Sequence, residues 1–173
     1  MAIVKASYTR RGRGAKAATR YIENRPGKDG ARIVRTLFTA EGKVQRAEVY
    51  DMIDQAAKGS YFFRLVISPD PMREDGDKNL SLRELTEKTI QSLEERFQRP
   101  VQWVAAIHAD HSEHRHVHAL AIVPQRLAVQ DFNRMRSAAT EAAQEQRRHL
   151  ELLNAAHEQS QEQHEGLGLE VEW

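Results

Sequence analysis

The chain has 173 residues and a mass of 19.8 kDa, enough for one domain or one domain with a tail. No run approaches the ~18 consecutive apolar residues of a membrane span. The absence of cysteine excludes disulfides, zinc ribbons, iron–sulfur clusters and thiol catalysis, so any metal site must be built from His, Asp and Glu. The net charge of +1 conceals an asymmetry: residues 1–50 hold twelve Lys/Arg against four acids, and the remainder is acidic. A basic N-terminal third suits a polyanion partner or a solvated face. The opening MAIVKASYTRRGRG carries charge where a secretory signal needs an apolar run, which points to the cytoplasm.

Residues 2–8 read as a short strand, followed by a Gly/Arg-rich turn. Residues 15–24 (AKAATRYIEN) are helix formers that stop before Pro26. Residues 32–38 (RIVRTLF) read as a strand. Val49, Met52, Ile53 and Ala56 recur at helical spacing within 44–58, and the β-branched and aromatic run 60–68 reads as a strand ended by Pro69. Ser81 with Glu84 three residues later is a capping-box signature for a helix to about Arg99, buried through Leu82, Leu85, Thr89, Leu93 and Phe97. Strands are predicted over 101–108 and 116–123, joined by a seven-residue polar connection. Residues 131–160 are helix-prone, with an apolar stripe at Phe132, Met135, Ala139, Ala142, Leu150 and Leu153. The expected organisation is a core over 1–130, a C-terminal helix over 131–154 packing on it, and a loose polar tail over 155–173. The fold class is α+β, a largely antiparallel sheet with helices covering one face and a histidine hairpin on its central strands.

Five of the eight histidines fall between 108 and 118. His116 and His118 flank Val117 in a strand, so period-2 alternation puts both imidazoles on one face. If the two strands form a hairpin, His108 comes to lie opposite or diagonal to that pair. Three neutral imidazoles with an open position suit a catalytic metal, since a structural site would be closed by a fourth ligand. His111 and His114 fall in the connection and are not expected to be ligands. Metal-bound imidazoles usually donate their second ring N–H, and Asp110 or Glu113 is placed to accept it.

His-Val-His in a strand, a third His eight residues upstream and a Tyr beside a basic N-terminus together resemble the HUH endonucleases, most closely the mobilisation-type (MobA-like) conjugative relaxases. Two stretches carry the resemblance: GRGAKAATRYIENRPGK (12–28), which resembles the helix bearing the nucleophile, and VQWVAAIHADHSEHRHVHALAIV (101–123), which resembles the histidine motif. The resemblance implies a palm-like sandwich, Tyr21 as nucleophile, and His108, His116 and His118 as metal ligands. It implies nicking and rejoining of one DNA strand at a plasmid transfer origin through a 5′-phosphotyrosine. The metal would be Mn²⁺ or Mg²⁺, with Zn²⁺ or Ni²⁺ acquired in a preparation. The partners would be single-stranded DNA, accessory relaxosome proteins and a coupling protein in a bacterial cytoplasm. The tyrosine precedes the histidines, as in relaxases, whereas in rolling-circle replication initiators it usually follows. The chain carries Phe63-Arg64-Leu65-Val66 where some relatives place an acid, and no helicase or primase follows, as in a minimal relaxase or a catalytic portion.

Arg10, Arg11, Arg13, Lys16, Arg20 and Arg25 are the candidate phosphate contacts. Tyr8 is the runner-up nucleophile, while Tyr50 and Tyr61 read as core. The competing readings are a replication initiator or transposase of the same superfamily, a metal-binding nucleic-acid module without cleavage, and a small metal sensor or structural protein.

Overall fold

A computed structural model describes residues 1–110 and 113–167. Its elements follow the order β1 (Ile3–Thr9), α1 (Gly12–Asn24), β2 (Phe38–Thr39), β3 (Gly42–Lys43), α2 (Arg46–Asp54), β4 (Tyr61–Ser68), α3 (Leu82–Phe97), β5 (Gln102–His108), β6 (His116–Val123) and α4 (Val129–Leu167). The strands make one open antiparallel sheet in the order β1-β4-β6-β5-β2-β3, so β1 is a free edge. The class is α+β, as expected.

The helices cover both faces, which corrects the one-sided arrangement expected from the sequence. Odd-numbered positions of β4–β6, including Leu65, Trp103, Ala119 and Ala121, bury against Leu85 and Leu93 of α3 and Met135 and Ala139 of α4. Even-numbered positions Phe62, Val104, Ala106 and Leu120 bury against Ala15, Ala18 and Ile22 of α1 and Val49 and Ile53 of α2. Strands buried on both sides lose polar alternation and read as continuous apolar runs, as the AIHADHSEHRHVHALAIV region does at its ends.

The run 32–38 is a second correction. Apart from Phe38, it forms no strand, and its amide and side-chain hydrogen bonds go elsewhere: the Arg35 N–H donates to the Glu23 carbonyl at the end of α1. Its inward positions are Arg35, Leu37 and Phe38, whereas Val34 stands exposed. Helix α3 begins as predicted, with the Ser81 hydroxyl accepting from the Glu84 N–H at 3.2 Å. Helix α4 continues beyond Asn154 to Leu167, through residues expected to be loose, and residues 168–173 lie outside the described residues. Among the described residues no helix is long and apolar enough to cross a membrane.

Candidate metal centre

The β5–β6 hairpin sets the histidines by register alone. His108 pairs directly with His116, and Ala106 with His118, so all three imidazoles project from even-numbered positions onto the face covered by α1. The ring centroids are 4.3 Å apart for His108 and His118, 5.1 Å for His116 and His118, and 5.6 Å for His108 and His116. One ring nitrogen from each lies within 4.8 Å of the other two, so the three residues could hold a metal ion.

The second nitrogens show which atoms face inward. His108 Nε2 lies 2.9 Å from the Ile22 carbonyl oxygen, and His116 Nδ1 lies 3.1 Å from the His114 carbonyl oxygen. A carbonyl only accepts, so each of these nitrogens carries a proton, and the ring nitrogens left to face a ligand are His108 Nδ1 and His116 Nε2. His108 Nδ1 and His118 Nε2 are buried without a hydrogen-bond partner among the described residues. Buried ring nitrogens without partners are costly, and a cation between them would satisfy them. Burial pushes the His108 imidazole down to about 4, against the opposing pull of the Ile22 carbonyl; burial, then the neighbouring His108, pushes His118 down to about 3. Both rings are therefore neutral at physiological pH, the form that binds metal. The three-imidazole donor set fits a metal ion.

The predicted role of Asp110 is corrected by its partner. Its carboxylate takes two hydrogen bonds from the Arg35 guanidinium, at 2.7 and 3.3 Å, and the hydrogen bond of the His108 ring goes to a main-chain carbonyl of α1 instead. Arg35 also donates to the Arg25 carbonyl at 2.7 Å. Glu113 stands exposed, and His111 lies outside the described residues.

Helix α1 buries Ala15, Ala18, Thr19 and Ile22, an i, i+3, i+4, i+7 stripe. Its first turn sits tight on β1, since a methyl at Gly14 would stand 2.8 Å from Thr9 Oγ1. Tyr21 flanks the stripe, 44% exposed, with its ring edge-on to His118 at 5.9 Å between centroids. The Arg25 guanidinium lies 5.6 Å from the centre of the Tyr21 ring. A cleft of about 300 Å³ opens beside them, lined among others by Lys5, Ser7, Arg64, Val66, Tyr21 and His118.

Tyr8, the alternative nucleophile, is separated from this cleft by the sheet. It pairs with Phe63 on the opposite face, packs on Tyr61 and Phe63, and lies under the Arg126 guanidinium. Tyr61 joins that cluster, and Tyr50 is half-buried, its hydroxyl accepting from Arg20. Of the six predicted phosphate contacts, only Arg25 reaches the site. Lys16 pairs with Asp54 at 2.7 Å, Arg20 is turned to Tyr50, and Arg10 caps the Gly59 carbonyl and covers the Tyr61 ring. Arg11 and Arg13 are exposed at the far end of α1, about 12 Å or more along the helix axis from Tyr21.

Sequence reasoning missed Arg35, Lys5, Arg64 and the Ile22 carbonyl. Alternation puts Lys5 and Arg64 on a given face of their own strands, but only the pairing register reveals that it is the histidine face. No protein-family model, no curated protein and no solved structure matches the chain.

Proposed function

We propose that the protein is a metal-dependent tyrosine DNA strand transferase of the HUH type, a mobilisation relaxase acting at a plasmid or conjugative-element transfer origin. The observation that carries this reading is the juxtaposition of Tyr21 with the three-histidine cluster, its ring 5.9 Å from that of His118 at the mouth of one cleft. A divalent cation held by His108, His116 and His118, Mn²⁺ or Mg²⁺ in function and Zn²⁺ or Ni²⁺ in some preparations, would supply Lewis-acid stabilisation of the phosphate's non-bridging oxygens.

The chain's own groups do the rest. The Tyr21 hydroxyl oxygen attacks the phosphorus of a phosphodiester, forming a P–O bond as the bond to the 3′ oxygen breaks. The phenolic proton passes to water in the open cleft, and the departing 3′ oxygen takes a proton from water to leave as a 3′-hydroxyl. The product is a 5′-phosphotyrosine, which preserves the ester so that the 3′-hydroxyl can reverse the reaction and rejoin the strand. Arg25, beside the ring, places positive charge where the phenolate and the phosphate meet. Asp110 is held by Arg35 and is left out of the proton path. Accessory relaxosome proteins, a coupling protein and a bacterial cytoplasm belong to the same reading.

The test mixes the protein and Mn²⁺ with a randomised single-stranded oligonucleotide pool, beside Tyr21→Phe and His116→Ala proteins, and resolves covalent adducts on denaturing gels. Wild-type protein is expected to form an adduct that both variants lose, and sequencing of the trapped strands then defines the target. An adduct surviving Tyr21→Phe would overturn the assignment of the nucleophile. DNA binding without any adduct, on the pool and on supercoiled native DNA, would leave a metal-binding nucleic-acid module, and a target at a replication origin or transposon end would move the chain to the initiators or transposases.

A further inference from the structure

The cleft beside Tyr21 is closed on one side and open on the other. Toward β5, α1 covers the face, with the His108 ring bonded to the Ile22 carbonyl and the Arg35–Asp110 pair tied to the Arg25 carbonyl at the end of the helix. Over the stretch of β1 and β4 beyond the first turn of α1 the face is open: Lys5, Ser7 and Arg64 are exposed and Val66 is half-buried. The registers place these residues in two rows across the strands, Lys5–Val66–His118 and Ser7–Arg64–Leu120. At the ~4.8 Å spacing of neighbouring strands, Lys5 stands about 10 Å from His118, at the free edge of the sheet.

Among the described residues, neither cation has a carboxylate partner, and no Asp or Glu lines the cleft. Arg64 Nε donates to Ser7 Oγ at 3.0 Å, which turns the guanidinium along the strand edge and leaves its two outer nitrogens for an acceptor. Two exposed positive groups of this kind, separated from the histidines by one apolar residue, suit a polyanion whose charged groups alternate with apolar ones.

We infer that Lys5 and Arg64 form a second phosphate-binding subsite, which takes a phosphodiester neighbouring the scissile one and leads a single DNA strand out over the β1 edge. This rests on the reading of Tyr21 and the histidines as the cleavage site, and it deepens that reading by giving the strand a direction. The basic start of α1, with Arg10, Arg11 and Arg13, is not on this path.

The test measures binding of a fluorescent randomised single-stranded oligonucleotide by anisotropy across a salt series, in Tyr21→Phe protein loaded with Mn²⁺ so that no strand is consumed. Lys5→Gln/Arg64→Gln is compared with Lys88→Gln/Arg99→Gln, which removes the same charge from exposed positions on and just after α3, across the sheet. The cleft pair is expected to weaken binding about tenfold or more near physiological salt and to reduce the slope of log K against log salt by about 0.7, the contribution of the one phosphodiester held in the subsite. Mn²⁺ affinity should be the same in all three proteins. An unchanged slope, or equal losses from both pairs, would overturn the subsite. Adduct formation by the protein with Tyr21 restored is scored separately: its absence, with the slope difference intact, would sink the cleavage reading and leave the subsite standing.

Discussion

Burial and hydrogen bonding act on His108 in opposite directions, and burial wins. The ring is fully buried, and its imidazole sits at about 4 although the Ile22 carbonyl favours the protonated form. His118, held at about 3, behaves alike. In the unfolded chain both rings would protonate near pH 6.5. The stability that goes with keeping them neutral is therefore complete above about 6.5 and is withdrawn as the pH falls from there toward 4, where unfolded molecules bind protons that folded ones refuse. By pH 5 the cost from His108 alone is about 2 kcal/mol at ~1.4 kcal/mol per pH unit. Chelator-treated protein is expected to lose roughly 5 °C or more of melting temperature between pH 7 and pH 5, and His118→Asn should lose less across the same interval. A melting temperature flat over that interval would show that the rings titrate normally. Mn²⁺ added at neutral pH should raise the midpoint, by about 2.7 kcal/mol at a hundred times the dissociation constant, since only the folded chain assembles the three nitrogens.

At the level of elements, one arginine joins the parts that carry the site. Arg35 reaches from the irregular stretch before β2 to Asp110 at the end of β5 and to the Arg25 carbonyl at the end of α1, while its own N–H bonds the Glu23 carbonyl. The helix bearing Tyr21 is thereby fixed to the strand end bearing His108. Arg35→Ala should cost about 2–3 kcal/mol in denaturant unfolding, because it strands a carboxylate and a carbonyl together, and Mn²⁺ affinity should fall about tenfold. Arg35→Lys should rescue little of this, since an ammonium cannot span the forked geometry; full rescue by lysine would show that charge alone is needed there. The same residue marks how far the sequence could be read. The histidine cluster was legible because alternation and a hairpin are local rules, and the register puts His108 opposite His116. The Ser81 cap was legible for the same reason. Arg35 was not: Arg-Ile-Val-Arg-Thr-Leu-Phe has strand composition, yet its inward place is taken by a guanidinium whose partners lie at residues 25 and 110. The partner of the His108 ring was hidden likewise, since the Ile22 carbonyl is 86 residues away and is supplied by a main-chain atom that no motif records. The far half of α4 outran its apolar stripe because Ala, Glu and Gln sustain a helix without burial, with pairs such as Gln161 and His157 one turn apart.

On the scale of the whole molecule, the sheet divides two cores that share strands and little else. The α3–α4 core is the larger and contains none of the three histidines, whereas the α1–α2 core forms the floor and wall of the candidate metal centre. Stability and metal binding should therefore separate by face. Leu93 of α3 and Ile22 of α1 are both buried, at 0% and 2% exposure, and truncation of either to alanine should cost about 2–4 kcal/mol. Their effects on the site should differ. Leu93→Ala removes packing across the sheet from the imidazoles, so folded Leu93→Ala protein should bind Mn²⁺ as wild type does. Ile22→Ala loosens the seat of α1 at the residue whose carbonyl orients His108, so its Mn²⁺ dissociation constant should rise about tenfold at matched folded fraction. Titration calorimetry well below each variant's melting temperature reads the affinities, and chemical denaturation reads the stabilities. Equal affinity losses in the two variants would mean that the cores respond as one body. Loss confined to Ile22→Ala would mean that the sheet insulates the site, so that the α3–α4 face can vary in sequence while the histidine face keeps its chemistry.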